Sequence, residues 1–152
     1  MTRGYFSIGV YHPKTHENIG TLFRSALAFG ASSIYTIGPR YKPQASDTPK
    51  SWKHIPLVCF TSFEDFFNLL PRESLLVGIE ITEKSIPLSS FSHPERAHYL
   101  LGAEDHGLPS HVLDRCHTLV QIPMTAAIPC LNVAVSGSVV MWDRFRSQSC
   151  GR

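Results

Sequence analysis

The sequence has no long hydrophobic run, since none of its apolar stretches approaches the roughly 20 residues that a membrane-spanning helix needs. Its first residues, MTRGYFSIGVYHP, lack the long apolar segment and the small-residue cleavage site of a secretory signal. Its four cysteines, Cys59, Cys116, Cys130 and Cys150, are widely spaced and form no CxxC pair, which argues against a disulfide framework and a zinc ribbon. These absences predict a cytoplasmic location.

An excess of charge of one sign is also lacking. The 14 Lys and Arg residues nearly balance the 12 Asp and Glu residues, and a net charge of +2 is too small to define a nucleic-acid-binding protein. Residues 38–56 differ from the whole sequence in their charge balance, because they contain four basic residues and only one acidic residue. They also contain four prolines. This composition predicts a long loop that is either a solvated connector or an arm for RNA phosphates and unstacked bases. The basic residues of that arm are Arg40, Lys42, Lys50 and Lys53.

Motifs for nucleotide phosphates and for metal ions are missing as well. No GxGxxG is present, and no lysine follows the glycines of GAEDHGLP, residues 102–109. His12 and His16 are four residues apart, but Pro13 lies between them and disfavours a shared helical face. We therefore expect neither a phosphate loop nor a metal site.

What the sequence does contain is a series of short apolar segments that alternate with helical patterns. Several segments are continuous apolar runs, which are typical of strands buried on both faces of a parallel sheet. The predicted strands cover 6–11, 33–38, 56–60, 74–81, 97–102 and 118–123.

Four helices are predicted between and after these strands. The first has apolar residues at i, i+3, i+4 and i+7 from Ile19, with Asn18 placed as its N-terminal cap and Gly30 at its end. The others begin at residues 62 and 110 and at about residue 131, and the last runs to residue 145. Alternating strands and helices predict a single α/β domain over residues 1–152 with a mainly parallel sheet.

Three loops lie where α/β sheets bind ligands, beyond the carboxyl ends of strands. One precedes the first helix, the second is GAEDHGLP, and the third is IPMTAAIPCLN, residues 122–132. If their strands are neighbours, these loops converge. Each also has an ordinary interpretation, since Glu104 and Asp105 fit surface acids and Asn132 fits a helix cap.

Two further features are open to alternatives. Arg24 lies about 140° around the first helix from Ile19, outside the apolar stripe, so it is either a solvated arginine or a functional one. The last helix is apolar on more than one face. That composition fits either a helix buried in the core or a helix that packs on the sheet with one face and on a second subunit with another.

Together, NIGTLFRSALAFGA, LLGAEDHGLP and QIPMTAAIPCLNVAVSGSVVMWD resemble, in order and separation, the three signature motifs of the SpoU (TrmH-type) RNA methyltransferases of the SPOUT superfamily. We expect no additional RNA-binding domain, and in this respect the sequence resembles the minimal TrmL-like members, which modify the tRNA anticodon loop. The resemblance implies a sheet with helices on both faces and a deep C-terminal trefoil knot. It further implies a homodimer with its sites at the subunit interface, S-adenosylmethionine (AdoMet) as cofactor, and methyl transfer to a ribose 2′-hydroxyl, with tRNA as the expected substrate.

By position, the resemblance implies functional roles for particular residues. Asn18 and Arg24 match the first motif, Glu104 the second and Asn132 the third, and these four are the predicted catalytic residues. The residues predicted to bind the cofactor are Ile79, Gly102, Ile122, Met124 and Leu131. We interpret Arg24 as an electrostatic stabiliser of the developing oxyanion and not as a base, because a guanidinium normally stays protonated.

The third motif departs from the family pattern, which usually has glycine where Ala126 stands and serine where Cys130 stands; Pro129 is also unusual. A cysteine is a weaker hydrogen-bond partner than a serine. One alternative is therefore a non-catalytic protein of the same fold that binds RNA or AdoMet. Methylation of a base in place of a ribose is another.

Overall fold

The computed structural model describes residues 4–39, 54–127 and 130–150. Seven strands in these ranges form one sheet: β1 (Tyr5–Tyr11), β2 (Ser33–Ile37), β3 (Leu57–Phe60), β4 (Leu75–Ile79), β5 (Ile86–Pro87), β6 (Arg96–Leu101) and β7 (Thr118–Gln121). Their order across the sheet is β3-β2-β1-β6-β4-β7-β5, and each of these neighbouring pairs is parallel. The predicted α/β class and the mainly parallel sheet are confirmed.

All six predicted strands are present, with ends that differ by up to two residues. The sequence pattern misses β5, because a strand of two residues is too short to show periodicity. Its Pro87 has no backbone N–H to donate, and such a residue is tolerated because β5 lies at the edge of the sheet.

Helices α1 (His16–Phe29), α2 (Phe63–Asn68), α3 (Ser110–Leu113) and α4 (Val133–Ser149) connect or follow the strands, and a 3-10 turn covers Leu88–Ser90. Gly30 ends α1 as predicted, and Ser62 caps α2 by accepting a hydrogen bond from the backbone N–H of Asp65 at 3.2 Å. In the described part of the chain, no helix combines the length and the apolar character needed to cross a membrane.

The prediction that Asn18 caps α1 is wrong. The helix begins two residues earlier, at His16, and Thr15 occupies the N-cap position without a side-chain hydrogen bond. Asn18 therefore lies within the first turn, where its side chain forms hydrogen bonds to residues distant in sequence.

The last helix begins at Val133 and extends to Ser149, slightly later at both ends than predicted. Its start is set by Asn132, whose Oδ1 accepts hydrogen bonds from the backbone N–H groups of Ala134, at 2.9 Å, and Val135, at 3.2 Å. Asn132 is thus a helix cap, as one of the two interpretations of the sequence had it.

Alternate residues of the strands feed two apolar clusters on opposite faces of the sheet. Tyr35 of β2 and Leu100 of β6 belong to the cluster that includes α2 and α3, whereas their neighbours Ile34 and Leu101 belong to the cluster that includes α1 and α4. The sheet therefore carries helices on both faces, as predicted.

On the first of these faces α1 and α4 pack side by side. A Cβ atom added to Gly137 would lie 2.4 Å from Cδ1 of Leu22, and the hydroxyls of Ser25 and Ser138 are 2.6 Å apart. The opposite side of α4 leaves Val135, Trp142 and Phe145 exposed. The helix is therefore buried on one face only.

The second half of α4 is anchored by a buried polar cluster. The side chain of Arg144, which is 1% exposed, donates hydrogen bonds to the carbonyl oxygens of Pro94, at 2.6 Å, and Glu95, at 2.9 Å. His93 lies 2.6 Å from the hydroxyl of Tyr99 and 2.9 Å from Oδ2 of Asp143. Because a buried charge is costly unless it is hydrogen-bonded, this cluster fixes where α4 lies against β6.

His98 on β6 gives folding a defined pH dependence. Burial lowers the pKa of its ring from 6.5 to about 4, so between these values the unfolded chain binds a proton that the folded protein does not. Titration of His98 therefore lowers the free energy of unfolding as the pH falls from 6.5 to 4, and this one residue contributes about 3 kcal/mol to the decrease. We expect urea unfolding of the His98→Gln variant to depend less on pH in this window, and that of a control variant at exposed His54, His54→Gln, to follow the wild type. Equal pH dependence of the wild type and His98→Gln would contradict this account.

Candidate functional site

A cavity of about 450 Å³ lies beyond the carboxyl ends of β6, β4 and β7, which are neighbours in the sheet. Residues 79–81 after β4, 101–105 and 107 after β6, and 121, 122 and 124 at the end of β7 form three of its walls. The fourth wall is the start of α4, with residues 130–133 and 136. Ligands of parallel α/β sheets bind at this end of the strands.

The five residues predicted to bind a cofactor all line this cavity: Ile79, Gly102, Ile122, Met124 and Leu131. They come from three strand ends and one helix start, and the sheet order brings these segments together. The structure gives the positions of these residues, and their role in binding a cofactor stays a prediction.

Three of the four predicted catalytic residues form one hydrogen-bonded chain at the rim of the cavity. The amide nitrogen of Asn132 donates to Oδ1 of Asn18 at 2.9 Å, and the amide nitrogen of Asn18 donates to the carboxylate of Glu104. Since Oδ1 of Asn132 caps α4, the chain ties the starts of α1 and α4 to the loop after β6. The three loops at the strand ends converge as predicted.

Arg24 is not part of this group. It is exposed on α1, does not line the cavity, and forms no hydrogen bond or ion pair with the described residues. The six-residue separation from Asn18 turns Arg24 to another side of the helix. One chain alone therefore does not bring the guanidinium to the cavity.

Glycine shapes the loop after β6. A Cβ atom at Gly102 would lie 2.5 Å from the backbone of Gly107, so the two ends of the turn meet only because Gly102 has no side chain. Gly107 has a φ of +63°, and its N–H donates to the carbonyl of Ala103 at 3.0 Å.

Glu80, directly after β4, binds this turn through its carboxylate. No sequence pattern predicted this residue. One carboxylate oxygen accepts from the N–H of Leu108 at 2.9 Å, and the other from the N–H of Ile81 at 3.1 Å. An acidic residue directly after an apolar strand is the signal that could have identified it, because the carboxyl ends of parallel strands carry the ligand site.

Lys14 connects the loop after β1 to the same turn. Its Nζ lies 2.9 Å from Oδ2 of Asp105, and this hydrogen bond lowers the pKa of the Asp105 carboxyl. Within residues 4–39, 54–127 and 130–150, no group of three or more His, Cys, Asp or Glu side chains is arranged to hold a metal ion.

Of the positions that depart from the third motif, Cys130 lines the cavity and is a free, exposed thiol. Ala126 lies in a turn outside the cavity lining, and Pro129 lies outside the described residues. The four basic residues predicted to bind RNA, Arg40, Lys42, Lys50 and Lys53, also lie outside them.

Fold and cavity together define an α/β protein with a cavity at the carboxyl ends of its parallel strands, the place where sheets of this class bind ligands. The model of the SpoU rRNA methylase family matches residues 5–142. Because this match spans most of the sequence, the chain belongs to the SpoU rRNA methylase family, which confirms the resemblance found in its three motifs.

Curated relatives are RNA methyltransferases by name. The chain is 29% identical over 140 residues to mouse tRNA (guanosine(18)-2′-O)-methyltransferase TARBP1, covering 88% of this chain and 9% of the relative. It is 27% identical over 139 residues to tRNA (cytidine/uridine-2′-O-)-methyltransferase TrmJ of Sodalis glossinidius, covering 83% and 54%. The chain therefore spans about half of the bacterial relative and a small part of the mouse one.

Solved structures share the fold. One described as giving structural insights into the 2-OH methylation of C/U34 on tRNA has a TM-score of 0.86 and 27% identity, covering 99% of this chain and all of its own. The SpoU methyltransferase AviRb from Streptomyces viridochromogenes, in complex with AdoMet, has a TM-score of 0.85 and 23% identity, covering 100% of this chain and 61% of its own.

The close contact between Gly107 and Glu80 predicts a specific cost of substitution. A Cβ atom at Gly107 would lie 2.4 Å from Oε2 of Glu80, in addition to the strain of the left-handed backbone. Gly30 has a similar backbone, with a φ of +82°, but open space around it. We expect Gly30→Ala to lower the free energy of unfolding by about 1 kcal/mol and Gly107→Ala by about 2–3 kcal/mol in urea titrations. Equal losses would show that the Glu80 carboxylate moves away from the added methyl group at little cost, which would contradict this account.

Proposed function

We propose that the protein is an AdoMet-dependent RNA methyltransferase that transfers a methyl group to a ribose 2′-hydroxyl, with tRNA as the favoured substrate. The observation that carries this proposal is the convergence of Asn18, Glu104 and Asn132 at the rim of one cavity. Membership of the SpoU family and the names of the relatives and of the AdoMet-bound neighbour support it.

The cavity fits AdoMet in its size and lining. Its volume of about 450 Å³ is in the range of sites for small organic ligands. Ile79, Ile122 and Leu131 offer apolar contacts for an adenine ring, and the loop after β6 offers backbone groups at Gly102 for polar atoms. We assign the binding of the cofactor to these residues and to Met124.

AdoMet, when bound, supplies a methyl group that is already activated by a sulfonium. What the chain must add is alignment of the ribose oxygen and favourable charge around it as its proton leaves. In this proposal Asn18 and Asn132 orient Glu104, whose carboxylate accepts a hydrogen bond from the ribose hydroxyl and takes up its proton as the methyl group is transferred. Arg24 would stabilise the developing oxyanion through its fixed positive charge.

We further propose that two chains form a homodimer and that Arg24 acts in the site of the partner subunit. Val135 and Trp142 are seven residues apart and Phe145 is three further, so the exposed apolar residues of α4 lie on one side of the helix. Phe29 of α1 extends this surface, with its ring centroid 5.8 Å from that of Phe145. Contiguous exposed apolar surface of this kind is typical of subunit interfaces.

Other parts of the proposal rest on family membership. A deep C-terminal trefoil knot fits the way that the segments before α4 and after β6 enclose one cavity. Arg40, Lys42, Lys50 and Lys53 are the proposed contacts to RNA phosphates, and residues 1–152 are proposed to form one domain. The cytoplasmic location stays a prediction.

Two measurements separate this proposal from a non-catalytic binding protein. Calorimetry with AdoMet should show binding by the wild type and a much weaker affinity in Leu131→Trp, because the larger side chain fills the cavity. Bulk tRNA and tritiated AdoMet should then give labelled RNA, and nuclease digestion with mass spectrometry should find the methyl group on a ribose. Binding of AdoMet without transfer to any RNA would favour the non-catalytic alternative, and a methylated base would contradict the ribose assignment.

Subunit complementation tests the role of Arg24. Arg24→Ala and Leu131→Trp chains should each be inactive alone, since one lacks the guanidinium and the other lacks the cofactor cavity. If Arg24 serves the partner's site, mixed dimers purified through both tags recover about half of the wild-type sites, because one of the two sites in each mixed dimer is then intact. Co-expression with two affinity tags and a tritium transfer assay measures this recovery. Mixed dimers without activity would place Arg24 in its own chain's site, and a monomer in sedimentation would refute the homodimer.

A further inference from the structure

A second cavity, of about 260 Å³, lies beside the first. It is formed by Tyr11 and His12 at the end of β1 and, after β6, by residues 103, 105–107, 109 and 111. These two strands are neighbours, but their chains leave in opposite directions: β1 leads into α1 on one face of the sheet, and β6 leads into α3 on the other. Such a divergence opens a crevice at the strand ends, which is where open α/β sheets bind ligands.

The lining of this cavity consists largely of rings. The rings of Tyr11 and His12 are stacked, with centroids 4.2 Å apart and an interplanar angle of 29°. His111 meets Tyr11 edge to face at 6.5 Å, and His106 and Pro109 complete the wall. A cavity with this lining suits a flat ring system, because aromatic side chains bind such rings by stacking.

His12 is held in place by an unusual backbone. Its φ is +51°, the only positive value of a non-glycine residue in the described part of the chain. Its N–H donates to the carbonyl of Ile37 at 2.7 Å, and its ring occupies the space where a side chain of Gly38 would lie, since a Cβ there would be 2.6 Å from the ring. Backbone strain of this kind is concentrated at functional sites.

The two cavities share a wall, the turn that contains Ala103, Asp105 and Gly107. A nucleotide with its base in the second cavity therefore has its ribose next to the first. The volume suits a single ring system, since drug-sized ligands take roughly 300–1,000 Å³. Unstacked bases held on aromatic side chains are the usual targets of sequence-specific RNA recognition.

We propose that Tyr11, His12 and His111 form a base-binding pocket that holds an unpaired base of the RNA substrate and so directs its ribose to the methyl donor. The inference rests on the proposed function, because it takes the first cavity to be the AdoMet site. It identifies residues that position the acceptor nucleotide. None of the three sequence motifs assigns a residue to this role.

Binding of a short single-stranded oligouridylate tests the pocket. In fluorescence anisotropy, Tyr11→Leu should raise the Kd by about 5- to 150-fold, the effect of losing one stacked base. Tyr11→Phe is the matched control and should stay within about twofold of the wild type, because it keeps the ring. His12→Asn removes the second ring while tolerating the left-handed backbone, and it should weaken binding in the same direction.

Photo-crosslinking locates the base directly. An oligouridylate with one 5-iodouridine should crosslink to Tyr11, His12 or His111, as identified by tandem mass spectrometry of tryptic peptides. Equal Kd values for the wild type, Tyr11→Leu and Tyr11→Phe, absence of binding by the wild type, or crosslinks confined to other residues would each overturn the proposal.

AdoMet calorimetry on the same variants keeps the two proposals apart. Wild-type affinity for AdoMet in Tyr11→Leu, together with weakened RNA binding, supports a separate base pocket, and altered AdoMet affinity in that variant counts against it. Loss of AdoMet binding by the wild type would refute the proposed function even if the base crosslinks as expected.

Discussion

The site depends on one chain of hydrogen bonds, which runs from Asn132 through Asn18 to Glu104. These residues are 114 and 86 positions apart in sequence, so only the folded sheet brings them together. The bonds are exposed, and exposed hydrogen bonds contribute modestly to stability, about 1 kcal/mol each. Their main consequence is therefore orientation: the amide of Asn18 is oriented by Asn132, which the start of α4 fixes, and it presents a donor to the carboxylate of Glu104.

This chain of hydrogen bonds depends on the turn after β6, which lines both cavities. Gly102 allows the turn to close on itself, and the Glu80 carboxylate holds its far end from the neighbouring strand. Asp105, on the same turn, is bound by Lys14 from the loop after β1. The turn is thus fixed from both neighbouring strand ends, so the distance between the two cavities is set by the backbone and not by flexible side chains.

Apolar runs and glycine positions predicted most of the fold, because they depend on local patterns; the two-residue β5 has no such pattern. The misplaced cap at Asn18 has a different cause, since an asparagine before an apolar stripe fits a cap unless it has a partner elsewhere, and Glu104 is that partner. Glu80 was missed, and His12 was considered only as a metal ligand, because the contacts of both residues depend on which strands are neighbours. Motif resemblance supplied the cavity residues, and it also placed Arg24 beside the reacting oxygen, a position that a single chain does not give it.

The exposure of Arg24 is best understood through the anchoring of α4. Arg144 and Asp143 place charges in the interior, where they are tolerated only with the bonds that Pro94, Glu95 and His93 supply. This cluster specifies how α4 is rotated, and Gly137 brings it against α1. The exposed apolar stripe of α4 is therefore a fixed surface with a defined relation to α1, the helix that carries Arg24. A second copy that covered this stripe would meet α1 at the same time, so that burial of apolar surface and delivery of the guanidinium would occur in one association step.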